Sequence, residues 1–97
     1  MIDVLLRPEA EADIDEIADF TIERWGRQQA RTYVAALRAD IARLTEFAER
    51  SPVHERSDFG LRRMRSGHHL VFYLVANNCV EVVRILHEKK DPDRGFL

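Results

Sequence analysis

The chain predicts an α+β fold in the order β-α-α-β-β-β, an antiparallel sheet covered on one face by a helical hairpin. Three observations carry this. Apolar residues recur at helical spacing from Ile14 to Ala48, the pattern turns strand-like after Pro52, and Ser66-Gly67 and Asn77-Asn78 fall where hairpin turns belong. At 97 residues the chain has room for one core, so a single domain spanning 1–97 is expected.

Each element has its own justification. Ile2, Val4 and Leu6 alternate along a short first strand that stops before Pro8, a residue suited to open a helix. From Glu9, the stripe Ile14, Ile17, Ala18, Thr21, Ile22 and Trp25 defines an amphipathic helix, with Asp13, Asp15, Glu16, Asp19 and Glu23 placed mostly on its polar side. Glu9 and Glu11 favour the positive end of its dipole, Arg24 the negative end, and Gly26 supplies the stop. Ala30, Tyr33, Val34, Leu37, Ile41, Leu44 and Ala48 form a second stripe, ended by Ser51-Pro52; the short connection makes the two helices an antiparallel hairpin. Strands then follow at Phe59–Arg65, Leu70–Ala76 and Val80–Leu86. The middle one is apolar on both alternating faces, as a central strand should be.

Composition narrows the function classes. No apolar run is long enough to span a bilayer, and the N-terminus has no basic segment ahead of an apolar stretch, so a cytoplasmic location without a membrane partner is expected. The lone Cys79 forms no internal disulfide and reads as a small packed group. The formal net charge of −2 is unevenly spread: residues 1–49 carry a net −5 and residues 50–97 a net +3. The chain is electrically two-sided, yet it lacks the positive excess of a protein that lives on a nucleic-acid backbone, so no direct nucleic-acid binding is expected.

The last strand carries the most unusual residue. Arg84 sits between Val83 and Ile85, and an arginine embedded in an apolar run is costly to bury without a partner. The strand then delivers His87, Glu88, Lys89 and Lys90, with Arg94 beyond. Arg63 and Arg65 share one face of the preceding strand, while Arg62 and Met64 take the other. Arg63, Arg65, Arg84, His87, Lys89, Lys90 and Arg94 are the candidate target-binding set. The alternative for the strand arginines is that one or two of Arg62, Arg63 and Arg65 bridge to the acidic first helix. His68 and His69, as neighbours in a strand, project to opposite faces, and no helical His-x-x-x-His spacing exists, so no metal site is expected. No glycine-flanked nucleophile or glycine-rich phosphate loop is present, and nothing implies a cofactor. Trp25 reads as a core residue closing the hairpin; were it exposed, it would be a partner anchor. Tyr33, Phe47 and Phe59 read as core or core margin.

Four pieces of sequence in order, Trp25-Gly26-Arg27-Gln28-Gln29-Ala30, Gly60-Leu61-Arg62-Arg63-Met64, Ser66-Gly67-His68-His69-Leu70-Val71-Phe72-Tyr73 and Arg84-Ile85-Leu86-His87, resemble the ParE branch of the RelE/ParE toxin superfamily, the plasmid stabilisation system family. The resemblance covers nearly the whole chain. It implies a RelE/ParE-like domain, a toxin of a type II toxin-antitoxin module that inhibits DNA gyrase by binding, with no catalytic residues of its own. It also implies a hetero-oligomer with a ParD-like antitoxin. The sequence departs from the pattern after the last strand, where His87 is followed by Glu88, Lys89, Lys90 and Asp91, with Lys90 in place of the usual methionine.

Two alternatives accompany that resemblance. RelE-like toxins share the fold and cleave mRNA on the ribosome; on that reading Arg65, Arg84 and His87 would be the catalytic set, supplying cations for the phosphate and a general acid or base. A degenerate toxin that only binds its antitoxin is the other. The Trp25–Ala30 junction favours ParE.

Overall fold

The computed structural model describes residues 2–50 and 60–90. Strand β1 (Asp3–Leu6) leads into helix α1 (Pro8–Trp25), with Pro8 at its first position and Glu9 and Glu11 in its first turn. Gly26, at φ +91°, ends α1 and starts α2 (Arg27–Ala42), so a single residue makes the hairpin connection. The second apolar stripe continues through α3 (Leu44–Phe47) and a 3₁₀ turn at Ala48–Arg50. Then come β2 (Arg62–Ser66), β3 (His69–Ala76) and β4 (Cys79–His87).

The element order is the expected one. The sheet runs β1-β4-β3-β2, antiparallel across β2, β3 and β4, and β1 joins β4 in parallel. That refines the expected wholly antiparallel sheet: the helical hairpin carries the chain from β1 toward β2 at the far edge, and the β2-β3-β4 meander then brings β4 back beside β1 in the same direction. The expected strand from Phe59 starts at Arg62 among the described residues, and Phe59 itself lies outside them. The first hairpin turn is one residue later than expected. Ser66 pairs with His69, leaving Gly67 and His68 as the two turn residues, so His68 belongs to the turn and not to a strand.

The core lies between the hairpin and one sheet face. Ala10, Ile14, Ile17, Leu37, Ile41, Leu44 and Ala48 pack against Val71, Tyr73, Val80, Val82 and Ile85. Burying a large side chain of this kind is worth about 1.5–3 kcal/mol. Both faces of β3 are covered, since Phe72 and Leu70 are buried as well as Val71 and Tyr73. One expectation fails: Trp25 is 69% exposed, and Phe20 and Ile22 also reach solvent. The stripe is buried as far as Thr21 and reaches solvent at Ile22 and Trp25.

Candidate functional site

The ladder between β3 and β4 shifts register between Phe72 and Tyr73, so that Phe72 faces Arg84 and Tyr73 faces Val82, with Val83 as the extra residue. On the other side of β4, β1 pairs only as far as Val82, and the edge beyond it would be bare. Asp13 of α1 fills it. Its Oδ2 accepts the Ile85 backbone N–H at 2.8 Å and Arg84 Nε at 2.8 Å, and its Oδ1 accepts Arg84 Nη2 at 3.0 Å. Asp13 is therefore buried instead of lying on the polar side of α1. A sequence signal existed: Ala10, Asp13 and Ile17 share one helical face, so an acid stands in the apolar stripe. The carboxylate beside Arg84 holds the guanidinium's pKa above its ordinary value.

At the opposite edge a second polar cluster surrounds the Gly67-His68 turn. Tyr33 of α2 rests on Gly67 so closely that a Cβ there would lie 2.6 Å from its hydroxyl oxygen. That oxygen accepts the His68 backbone N–H at 2.9 Å and lies 2.6 Å from His69 Nδ1. Burial, then the neighbouring His87 and His68, lower the His69 pKa to about 4, which favours the neutral ring; the Tyr33 hydroxyl then donates to a bare Nδ1 or accepts from a protonated one, according to the tautomer. Beside it, Ser66 donates to Asp40 Oδ2 at 2.6 Å and ties β2 to α2.

Glu88, just past β4, bridges an arginine and a histidine: Arg65 Nη1 lies 2.7 Å from its Oε1 and His68 Nδ1 2.7 Å from its Oε2. Its backbone N–H donates to His68 O. These hydrogen bonds, Arg65's first, bring the Glu88 pKa down to about 2. The His87 ring lies 5.2 Å from that of His69 and 6.4 Å from that of His68, and its Nδ1 accepts the Lys89 backbone N–H at 3.1 Å.

The candidate set is thus divided. Arg65, His87, Lys89 and Lys90 gather at the end of the sheet beside the Gly67-His68 turn, while Arg84 is directed to α1 and held by Asp13. The arginine that bridges to the acidic helix is thus Arg84, where the bridge was expected of the Arg62–Arg65 strand, and Arg65 is held by Glu88. Arg63 is exposed on β2 and, among the described residues, has no ion-pair partner. Arg62 turns inward and donates to Glu49 O, and Arg94 lies outside the described residues. Open clefts run along β1 and α2, lined by Ile2, Val4, Leu6 and Ala42. They hold none of the residues proposed for chemistry. The sequence reading overlooked Tyr33, His68 and Glu88 as a connected group, because only the folded turn places them together.

In fold the chain is similar to a chain of the chromosomal ParDE toxin-antitoxin system from P. aeruginosa, with a TM-score of 0.80 at 19% identity, covering 90% of this chain and 96% of that one. Its framework is therefore one found in a toxin-antitoxin assembly. The family model for the ParE toxin of type II toxin-antitoxin systems matches residues 4–92, and the chain belongs to that family. It is 36% identical to Toxin ParE1 of Mycobacterium tuberculosis over 93 residues, 95% of each chain. It is 39% identical to Toxin ParE1 of Caulobacter vibrioides over 79 residues, 81% of each. Toxin ParE of Escherichia coli is 42% identical over 90 residues, covering 90% of this chain and 85% of that one.

Proposed function

We propose that this ParE-family toxin acts by binding DNA gyrase and is held inactive by a ParD-like antitoxin in a cytoplasmic hetero-oligomer. The observation that carries the reading is the match to ParE toxins along almost the whole chain. The geometry supports a binding mode of action over RelE-type cleavage. An endonuclease would need Arg65, Arg84 and His87 converging on one phosphate, with cations free for its charge. Here Arg84 is held by Asp13 and Arg65 by Glu88.

Two surfaces suit macromolecular partners. The sheet end offers Arg63, Arg65, His87, Lys89 and Lys90; of the other expected target contacts, Arg84 is held by Asp13 and Arg94 lies outside the described residues. The end of α1 offers Trp25, an exposed aromatic of the kind that anchors protein interfaces. The test is purified gyrase assayed for supercoiling and DNA cleavage in the presence of this protein, beside translating ribosomes assayed for mRNA cleavage. Gyrase inhibition with intact mRNA is the expected outcome.

A further inference from the structure

The Arg65–Glu88–His68 bridge is built as a carboxylate-binding site whose occupant comes from the same chain. One carboxylate receives a guanidinium on one oxygen and an imidazole on the other, both at 2.7 Å. The two hosts are well exposed, with side-chain accessibilities of 59% for Arg65 and 73% for His68 against 28% for Glu88. The hosts are thus open to an incoming group, and Glu88 sits on a short turn past the end of β4. Lys89 and Lys90 follow Glu88 directly and Arg63 lies two residues before Arg65 on β2; all three are exposed and have no ion-pair partner among the described residues. The neighbourhood is cationic even with Glu88 in place.

The backbone beside it is also open. Strand β2 is the outer strand of the sheet, and no described strand pairs with its far edge. Arg63 and Arg65 lie two residues apart on it and so share a face. An extended segment laid along that edge would present its own alternate side chains to them.

We propose that this end of the sheet takes an acidic, extended peptide segment, one carboxylate of which exchanges with Glu88 for Arg65 and His68. Glu88 is then an internal competitor that weakens capture of the acidic partner. It also keeps the cationic surface from holding other anions. The proposal rests on the toxin reading only in making the antitoxin the natural source of such a segment. An acidic peptide is favoured over nucleic acid because the cations are spaced along an edge strand that offers backbone pairing.

The test uses the full chain and a short fluorescein-labelled peptide alternating glutamate with threonine, its glutamine counterpart, and oligothymidylate. Fluorescence anisotropy is read at two salt concentrations for the wild type, Glu88→Gln and Glu88→Gln/Arg65→Gln, each checked for folding by circular dichroism. Glu88→Gln keeps the shape of the bridge and removes its charge, so it should bind the glutamate peptide about five- to tenfold more tightly than wild type, with the gain lost in the double variant. Unchanged or weaker binding by Glu88→Gln overturns the proposal, and so does a gain that survives Arg65→Gln or a preference for oligothymidylate over the peptide. The gyrase assay reads the toxin reading independently, so a failure of one is distinguishable from a failure of the other.

Discussion

Asp13 and Arg84, 71 residues apart in the chain, form a two-pronged ion pair that takes the place of a missing strand at the edge of β4. The same carboxylate accepts the Ile85 N–H, so one side chain satisfies a bare backbone donor, a guanidinium and the bulge that directs Arg84 toward α1. Removing one partner of such a pair strands the other. We expect Asp13→Ala and Arg84→Met each to lower the unfolding free energy by about 2–4 kcal/mol, the first by leaving the Ile85 N–H and the guanidinium without their acceptor, the second by leaving the buried Asp13 carboxylate without its counter-charge. Urea denaturation of the two variants checks both losses.

Tyr33 and Gly67 form a second coupling. Gly67 has φ +59°, and its missing Cβ makes room for the Tyr33 hydroxyl. Gly67→Ala should destabilise by about 1–3 kcal/mol from strain and overlap together. In a Tyr33→Phe background the overlapping oxygen is gone, and the added cost of Gly67→Ala should fall. A double-mutant cycle by thermal or urea unfolding reads that non-additivity.

Acid should weaken the turn that Tyr33 clamps. The folded-state pKa of His69 is lowered to about 4 from 6.5, so between those values the unfolded chain binds more protons. Its contribution is fully present above about pH 6.5 and is lost as pH falls toward 4. Glu88, lowered to about 2 from 4.5, contributes above about pH 4.5 and loses that contribution toward pH 2. Stability should therefore decline in two overlapping stages on acidification. His69→Asn should flatten the first stage and Glu88→Gln the second, as followed by denaturant midpoints across pH.

Trp25 divides stability from binding. At 69% exposure, Trp25→Ala should change unfolding free energy by no more than about 0.5 kcal/mol. As an interface anchor, its loss should weaken a partner complex at least about tenfold. Calorimetric titration with the antitoxin and with gyrase shows which partner it serves.

The helices, turns and element order were legible because their signals are local. The stripes have helical period, Gly26 stops α1, and Asn77 and Asn78, at φ 52° and 60°, make the turn their residue types favour. What the sequence withheld depends on contacts between distant segments. That β1 lies parallel to β4 follows from how the hairpin packs, and the burial of Asp13 follows from where β1 ends. Trp25 misled because periodicity shows which residues share a helical face but not how far the sheet beneath extends. The cationic candidates could be named from the chain, but their division between the Asp13 and Glu88 partners required the folded geometry.

Purified gyrase and translating ribosomes, assayed side by side with the wild type and His87→Ala, separate a gyrase-binding toxin from a nuclease. The wild type should block supercoiling and accumulate cleaved DNA while mRNA stays intact. Cleavage of ribosome-bound mRNA that disappears in His87→Ala would contradict the gyrase-binding reading.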